Sequence, residues 1–210
     1  MNKDSIYFTI NKLLRTVVFI FIDTFFSMYF FKLVNYQIFP MAKNYLFTYL
    51  FLFVGFFIIR KSIKKEIKVG YYRLSISLLA FYLTLILLLK ENIPKYISLI
   101  GLIKGLAEGL YYYPTNIFDT EKISNENRKK YSGLLNTFST LISIIVPIIL
   151  GIFLDKYSYI KIGKVMLVFI ILMLINSFLL KMNHIRKINL VIKNLKIILK
   201  INLSLIKYLS

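Results

Sequence analysis

The sequence lacks several residue types on which disulfide-stabilised proteins and many enzymes depend. Its 210 residues include no cysteine, no tryptophan and one histidine, with only 4 prolines and 8 glycines. Without cysteine there is no disulfide framework, no thiolate nucleophile and no cysteine-ligated metal, and a single histidine excludes a multi-histidine zinc or haem site. The scarcity of proline and glycine excludes collagen-like and linker proteins. We therefore expect no metal and no cofactor.

Charge is also sparse, and basic residues outnumber acidic ones 28 to 9. Charged residues make up 18% of the chain and hydrophobic residues 58%, and the mean hydropathy is +0.70. Soluble domains average about 25% charged residues and about 45–50% apolar ones, so the composition indicates a membrane protein. The net charge is +19. In a membrane protein such an excess is typical of cytoplasmic loops, and we expect the lipid bilayer, not nucleic acid, as the partner.

Six apolar stretches approach the roughly 20 residues that a helix needs to cross the hydrocarbon core. Because no strand-like alternation occurs, they are predicted to be transmembrane helices, which gives an all-α membrane protein. The second stretch is short unless it begins nearer Ile38, with Pro40 at its start. The six predicted spans are Leu13–Leu33, Leu46–Ile59, Tyr71–Leu89, Ile93–Tyr113, Leu134–Leu154 and Lys164–Leu180.

The distribution of lysine and arginine predicts the orientation. Residues 1–12 form a cytoplasmic N-terminus, 13–180 the six-span domain, and 181–210 a cytoplasmic basic helix. Most basic residues fall on the side that holds both termini, which predicts that this side is cytoplasmic. Within 181–210, lysines recur every three or four residues, as in a helix that lies on anionic lipid. We expect a multi-pass protein of a bacterial cytoplasmic membrane.

Three charged residues within the spans are candidates for transport or coupling. Asp23 lies near the middle of the first span, where a charge costs about 2.5–3.5 kcal/mol on insertion scales, so it should face a cavity or a partner. It is either protonated or neutralised by Lys104. Lys104 and Glu108 share one face of the fourth span, where they either line a substrate path or neutralise each other. Ser27 is one turn from Asp23 and is a further candidate for the pathway.

Two small or polar stripes indicate how helices pack. Gly101, Gly105 and Gly109 form a GxxxGxxxG ladder on the fourth span, which lets a neighbouring helix approach closely. The fifth span has a polar face that either lines a pathway or bonds carbonyls freed by a proline. That face consists of Asn136, Thr140 and Ser143 as candidate pathway residues, followed by Pro147 and Gly151 as candidate packing residues.

No set of residues in the sequence matches a known catalytic arrangement, so we do not expect an enzyme. A rhomboid-type serine protease needs Gly-x-Ser-Gly and a histidine within the membrane. Here Tyr131-Ser132-Gly133 lacks the first glycine, and His184 lies outside the predicted spans. The chain also has no Walker A loop and no HExxH motif.

Two segments resemble the major facilitator superfamily of transporters. Asn127–Leu134, with Arg128 and Gly133, is similar to the start of the family's fifth helix, and VPIILG at Val146–Gly151 is similar to its Gly-Pro-x-x-Gly-Gly motif. The segment Gly105–Tyr113 also resembles the fourth helix of bacterial members. The family's acidic residue between helices two and three is replaced by Ile59.

The resemblance covers about residues 10–180 and implies one half of a truncated or split facilitator, built from two inverted three-helix repeats. Such a half moves a small solute by alternating access, with proton coupling as one option, and works with a second six-helix half or a second copy. Asp23, Lys104 and Glu108 would then line the central cavity. The alternatives are a self-contained six-helix subunit, such as the substrate-binding component of a multi-protein importer, and a membrane scaffold whose basic tail recruits lipid or partners.

Overall fold

A computed structural model describes residues 3–61, 67–122 and 125–180, and these are helical apart from short connections. Within this part of the chain there is no strand, so the predicted all-α class is confirmed. A π-helical segment, Phe21–Phe26, joins the first two helices, and a 3₁₀ segment, Lys90–Tyr96, joins the fourth to the fifth. The helices are α1 (Lys3–Ile20), α2 (Ser27–Leu33), α3 (Ile38–Lys61), α4 (Ile67–Leu89), α5 (Ile97–Lys122), α6 (Asn125–Lys156) and α7 (Tyr159–Leu179).

Five helical stretches are long and apolar enough, by length and composition, to cross a membrane. They are Ser5–Leu33, Ile38–Ile59, Val69–Asp119, Arg128–Lys156 and Tyr159–Leu179. The third is 51 residues long but is not one straight rod, because its α4 and α5 parts pack side by side. The rings of Tyr72 and Tyr111 lie 5.6 Å apart. The chain reverses where Lys90 takes the left-handed φ of 45°.

The helices extend beyond the apolar stretches that the sequence predicts. The first begins at Lys3, well before Leu13, and α6 runs from Asn125 to Lys156. Hydropathy marks only the part of a helix that suits hydrocarbon, whereas backbone hydrogen bonding continues into its polar ends. The helix α3 takes the earlier of its two possible starts, at Ile38. Pro40 therefore lies in its first turn, where the missing N–H costs no helical hydrogen bond.

The hydrophobic core lies between α1, α4, α5 and α7, where Phe8, Leu83, Phe118 and Ile170 are buried. The helices α3 and α6 lie at the periphery, packed on α5 and α1 respectively. Only 17% of the apolar stretch of α3 is buried, and only 6% of that of α6. Both helices therefore present wide apolar faces, which suit lipid or another membrane protein.

Two predicted features fall outside the described residues. The basic amphipathic helix predicted at 181–210 is one of them, and the centre of the basic connection between α3 and α4, residues 62–66, is the other.

Candidate functional site

A charged cluster occupies the middle of the helical bundle. Lys104 of α5 donates a hydrogen bond from Nζ to Oδ1 of Asp23, in the π-helical segment, at 2.6 Å. The lysine side chain is 9% exposed and the aspartate side chain 50%. The structure places the ammonium of Lys104, the partner considered for Asp23, within hydrogen-bond distance of that carboxylate. A π-helical turn is rare and often marks a functional position, and here it carries the aspartate.

Glu108 lies one turn further along α5 and approaches the same lysine. Its Oε1 is 3.8 Å from Nζ of Lys104, and its side chain is 11% exposed. Lys104 therefore stands between two carboxylates, of which Asp23 is nearer and more accessible. Tyr82 of α4 is buried and close enough to interact electrostatically with all three groups.

Arg15 supplies the balancing positive charge, and the sequence analysis missed it. Its guanidinium lies 3.9 Å from the centroid of the Phe19 ring and 3.8 Å from that of Tyr111. Such stacking on aromatic faces stabilises a cation that has left water. The charge of Arg15 also attracts that of Glu108, so the cluster of Asp23, Lys104, Glu108 and Arg15 carries no net charge when all four are ionised.

A second ion pair lies at the end of the bundle where α1 begins. Lys12 Nζ is 2.5 Å from Oδ2 of Asp119 at the end of α5. The hydroxyl of Tyr131 on α6 donates to the other carboxylate oxygen of Asp119 at 3.5 Å. This pair links α1, α5 and α6 at one membrane end.

Two ion pairs join antiparallel helices: Lys12 of α1 with Asp119 of α5, and Asp23 of the π-helical segment with Lys104 of α5. Between them the charge of Arg15 attracts that of Glu108. Lys12 and Asp23 are about 16 Å apart along the helix axis, at 1.5 Å per residue. Within the described residues the backbones of α1 and α5 scarcely approach each other. Long polar and aromatic side chains, among them the stacked rings of Phe8 and Phe118, therefore fill the space between the two helices.

A separate amide network joins α1 to α7. Asn11 is fully buried and donates from Nδ2 to the carbonyl of Met173 at 3.2 Å. Asn176 donates to Oδ1 of Asn11 at 2.7 Å and to the carbonyl of Tyr7 at 2.8 Å. Each buried amide thus has a partner, as membrane helices require, and the network holds the start of α1 against the end of α7.

The glycine ladder faces α3. An added Cβ on Gly101, Gly105 or Gly109 would strike the backbone carbonyl of Asn44, Thr48 or Leu52, respectively. Gly55 of α3 adds to the contact, since a Cβ on Gly109 would lie 3.0 Å from its Cα. The two helices therefore touch backbone to backbone, at a separation that only glycine permits.

The residues predicted on α6 lie apart from these contacts. Asn136, Thr140 and Ser143 are exposed, and Ser143 donates to the carbonyl of Ser139 at 2.8 Å. The packing predicted for Gly151 is not found in the described part of the chain. A Cβ there would meet nothing within 4 Å, because α6 has few neighbours other than α1.

Two further predicted residues have local roles in the structure. Pro147 is half-buried within α6, which continues unbroken past it. Ser27 donates to the carbonyl of Ile22 at 3.3 Å, so its hydroxyl bonds to the backbone of the π-helical segment beside Asp23. Within the described residues, the structure records no contact between either residue and the charged cluster.

The sequence analysis missed Arg15 and Lys12 because it counted both as charges flanking the membrane. For Arg15, the sequence did contain a usable pattern. Asn11, Arg15, Phe19 and Asp23 follow one another at four-residue spacing, which places them along one side of a helix. Recognising Asp119 as the partner of Lys12 requires the antiparallel alignment of α1 and α5, which no local pattern contains.

Within the described residues no three histidine, cysteine, aspartate or glutamate side chains cluster as metal ligands. Comparison of the chain with family models, with curated proteins and with solved structures gives no match. The resemblance to the major facilitator superfamily therefore remains a prediction from the sequence.

Proposed function

We propose that this chain is one six-span half of a secondary transporter of the facilitator type, which moves a small solute across a bacterial cytoplasmic membrane by alternating access. One observation carries the proposal: a charged cluster lies near the middle of helices that are long and apolar enough to cross a membrane, and so at mid-membrane depth if they span it. Ionisable groups at that depth are costly and usually mark a substrate or ion pathway. The six spans follow if α4 and α5, which reverse at Lys90, each cross the membrane.

The pattern of neighbouring helices supports the inverted repeat that such a half would contain. Let the first repeat consist of the α1–α2 span, α3 and α4, and the second of α5, α6 and α7. The two repeats then pair α1 with α5, α3 with α6, and α4 with α7. Under this exchange the α3–α5 contact becomes the α6–α1 contact, and the α4–α5 contact becomes the α7–α1 contact. The α4–α7 contact maps onto itself. All of these pairs are in contact, as a twofold axis in the membrane plane requires.

The cluster suggests how the charge of a solute or proton is linked to motion. Asp23 is the accessible carboxylate and Glu108 the buried one, and Lys104 reaches both. When a proton or a cationic solute neutralises Asp23, Lys104 is left with Glu108 as its nearest counter-charge. The lysine then no longer ties the π-helical segment to α5, so that α1 and α5 can separate or close.

The partner we propose is a second six-span half or a second copy of this chain. The exposed faces of α3 and α6 provide the surface for it, and the exposed polar side chains Asn136, Thr140 and Ser143 on α6 would then face the shared pathway. A protein contact would satisfy those side chains better than hydrocarbon does.

The absence of cysteine permits a test that needs no knowledge of the solute. Thr24 is exposed beside Asp23, and Thr24→Cys introduces a single thiol at the proposed cavity. A membrane-impermeant thiol reagent should label it in vesicles, because a pathway admits water. Phe81→Cys, at an exposed apolar position on α4, is the control and should stay unlabelled. If both thiols resist the reagent, the chain has no aqueous pathway at Asp23.

Transport itself is tested in proteoliposomes that contain the chain alone or with its proposed second half. Uptake of radiolabelled glucose, alanine, dialanine and tetraphenylphosphonium is measured with and without an inward proton gradient. We expect one of these solute classes to accumulate. Asp23→Asn should remove the dependence on the proton gradient, whereas Asp155→Asn, at an exposed position near the end of α6, should not. An unchanged pH dependence in Asp23→Asn would exclude the proton role.

A further inference from the structure

An apolar groove opens between α6 and α7, away from the charged cluster. Its volume is about 580 Å³, within the size range of sites that hold small organic ligands. In the described part of the chain α6 packs on α1 and hardly touches α7, which leaves the groove between them. Its lining includes Val146, Phe153, Tyr157, Lys161 and Phe169.

The groove has the dimensions of one leaflet. Along α7 it runs from Lys161 to Phe169, about 12 Å at 1.5 Å per residue. From Tyr157, the residue after α6, the groove runs back along that helix to Val146, about 16 Å by the same measure. Half of a hydrocarbon core of about 30 Å is about 15 Å. The groove therefore reaches from the membrane surface, where α6 ends and α7 begins, to the bilayer centre.

Its polar groups are confined to the surface end. Lys161 and the Tyr157 hydroxyl are the polar side-chain groups among the lining residues, and the ammonium of Lys161 lies 5.7 Å from the centroid of the Tyr157 ring. Lys156 and Lys164 are exposed at the same end, near one acidic residue, Asp155. An occupant that matches this pattern has an anionic head at the membrane surface and an apolar chain one leaflet long.

We propose that this groove binds an anionic phospholipid, with one acyl chain between α6 and α7 and the head-group phosphate at Lys161. Basic side chains near a membrane surface attract anionic lipids. Neither a free anion nor a soluble ligand would use the apolar length of the groove. The inference is independent of the transport proposed above. On α6 the groove residues lie roughly 100° around the helix from Asn136, Thr140 and Ser143, so lipid and a partner at that polar face do not compete.

The absence of tryptophan makes the groove directly observable. Phe153→Trp replaces one aromatic lining residue by another and provides the one tryptophan of the chain. The purified protein is reconstituted with phosphatidylcholine that contains a rising fraction of brominated phosphatidylglycerol or brominated phosphatidylcholine. Bromine on an acyl chain quenches tryptophan on contact. We expect half-maximal quenching at an about fivefold lower fraction of the anionic lipid, as expected for one lysine–phosphate interaction.

Three variants decide the outcome. Adding Lys161→Ala to Phe153→Trp should abolish the preference for the anionic lipid, whereas adding Lys95→Ala, at an exposed position on the same membrane side, should leave it. Phe81→Trp on α4 should show no preference. Equal quenching by both lipids in Phe153→Trp, or a preference that survives Lys161→Ala, overturns the proposal. Quenching by neither lipid would mean that protein, such as a second copy, covers the groove.

Discussion

The contact between Gly105 and α3 predicts a large effect from a single methyl group. In Gly105→Ala the new Cβ would overlap the carbonyl oxygen of Thr48 and lie 2.9 Å from the amide nitrogen of Leu52. Both atoms belong to the backbone, so no change of rotamer can relieve the overlap. The Thr48 hydroxyl also donates to the carbonyl of Asn44 at 2.9 Å. The helix α3 must therefore move away by about 1 Å, a gap that forfeits a quarter to a half of the dispersion energy of each contact.

The magnitude follows from two opposing contributions. Overpacking a tight contact typically costs about 1–3 kcal/mol, and the upper half of that range applies because backbone opposes the methyl group. Alanine is better than glycine in a helix by about 0.5–1 kcal/mol. The free energy of unfolding should therefore fall by about 1–2.5 kcal/mol in Gly105→Ala. In Gly133→Ala on α6, where a Cβ meets nothing within 4 Å, only the helical gain remains, about 0.5–1 kcal/mol.

The two variants should thus change stability in opposite directions. Reversible unfolding in mixed detergent micelles, followed by far-ultraviolet circular dichroism, measures both free energies. Gly163→Ala is an intermediate case, because its Cβ would meet the side chain of Leu87 at 2.8 Å, and a side chain can rotate away. If Gly105→Ala proves as stable as Gly133→Ala, the close packing of α3 on α5 is refuted.

Substitutions at three polar contacts are tested by the same unfolding measurement. Lys104→Met leaves carboxylates without their counter-charge and should lower the free energy of unfolding by about 3 kcal/mol. Adding Asp23→Asn should restore part of that loss. If the effects of the two substitutions simply add, the ion pair is contradicted. Asn11→Leu removes two interhelical hydrogen bonds and should cost about 1 kcal/mol, so an unchanged stability would exclude the amide network. Lys12→Ala should lower the free energy of unfolding by at most about 1 kcal/mol, because the Lys12–Asp119 ion pair is partly exposed. An equal loss in Asp119→Ala, with no further loss in the double variant, would support the coupling of the two residues.

Much of the fold could be predicted because it depends on local composition. The apolar stretches located the helices that are long and apolar enough to cross a membrane, since a membrane helix must satisfy its backbone internally and needs about 20 apolar residues. The shortness of the second stretch indicated that α3 could begin earlier, near Ile38, as it does. The helix ends could not be located from hydropathy, which does not distinguish a polar helix end from a loop. At Gly151 no neighbour lies within 4 Å of an added Cβ in the described part of the chain, because a small residue permits close approach without supplying the neighbour.

The sequence by itself determined that the chain forms helices long and apolar enough to cross a membrane, and that Asp23, Lys104 and Glu108 are charges within them. These properties follow from residue type and periodicity, which tertiary contacts do not change. Only the tertiary structure decided which charges meet. The pairing of Lys104 with Asp23, and the position of Arg15 between Phe19 and Tyr111, depend on how far each helix is rotated and displaced. Packing between residues distant in the sequence sets that rotation, so no local pattern could have determined it.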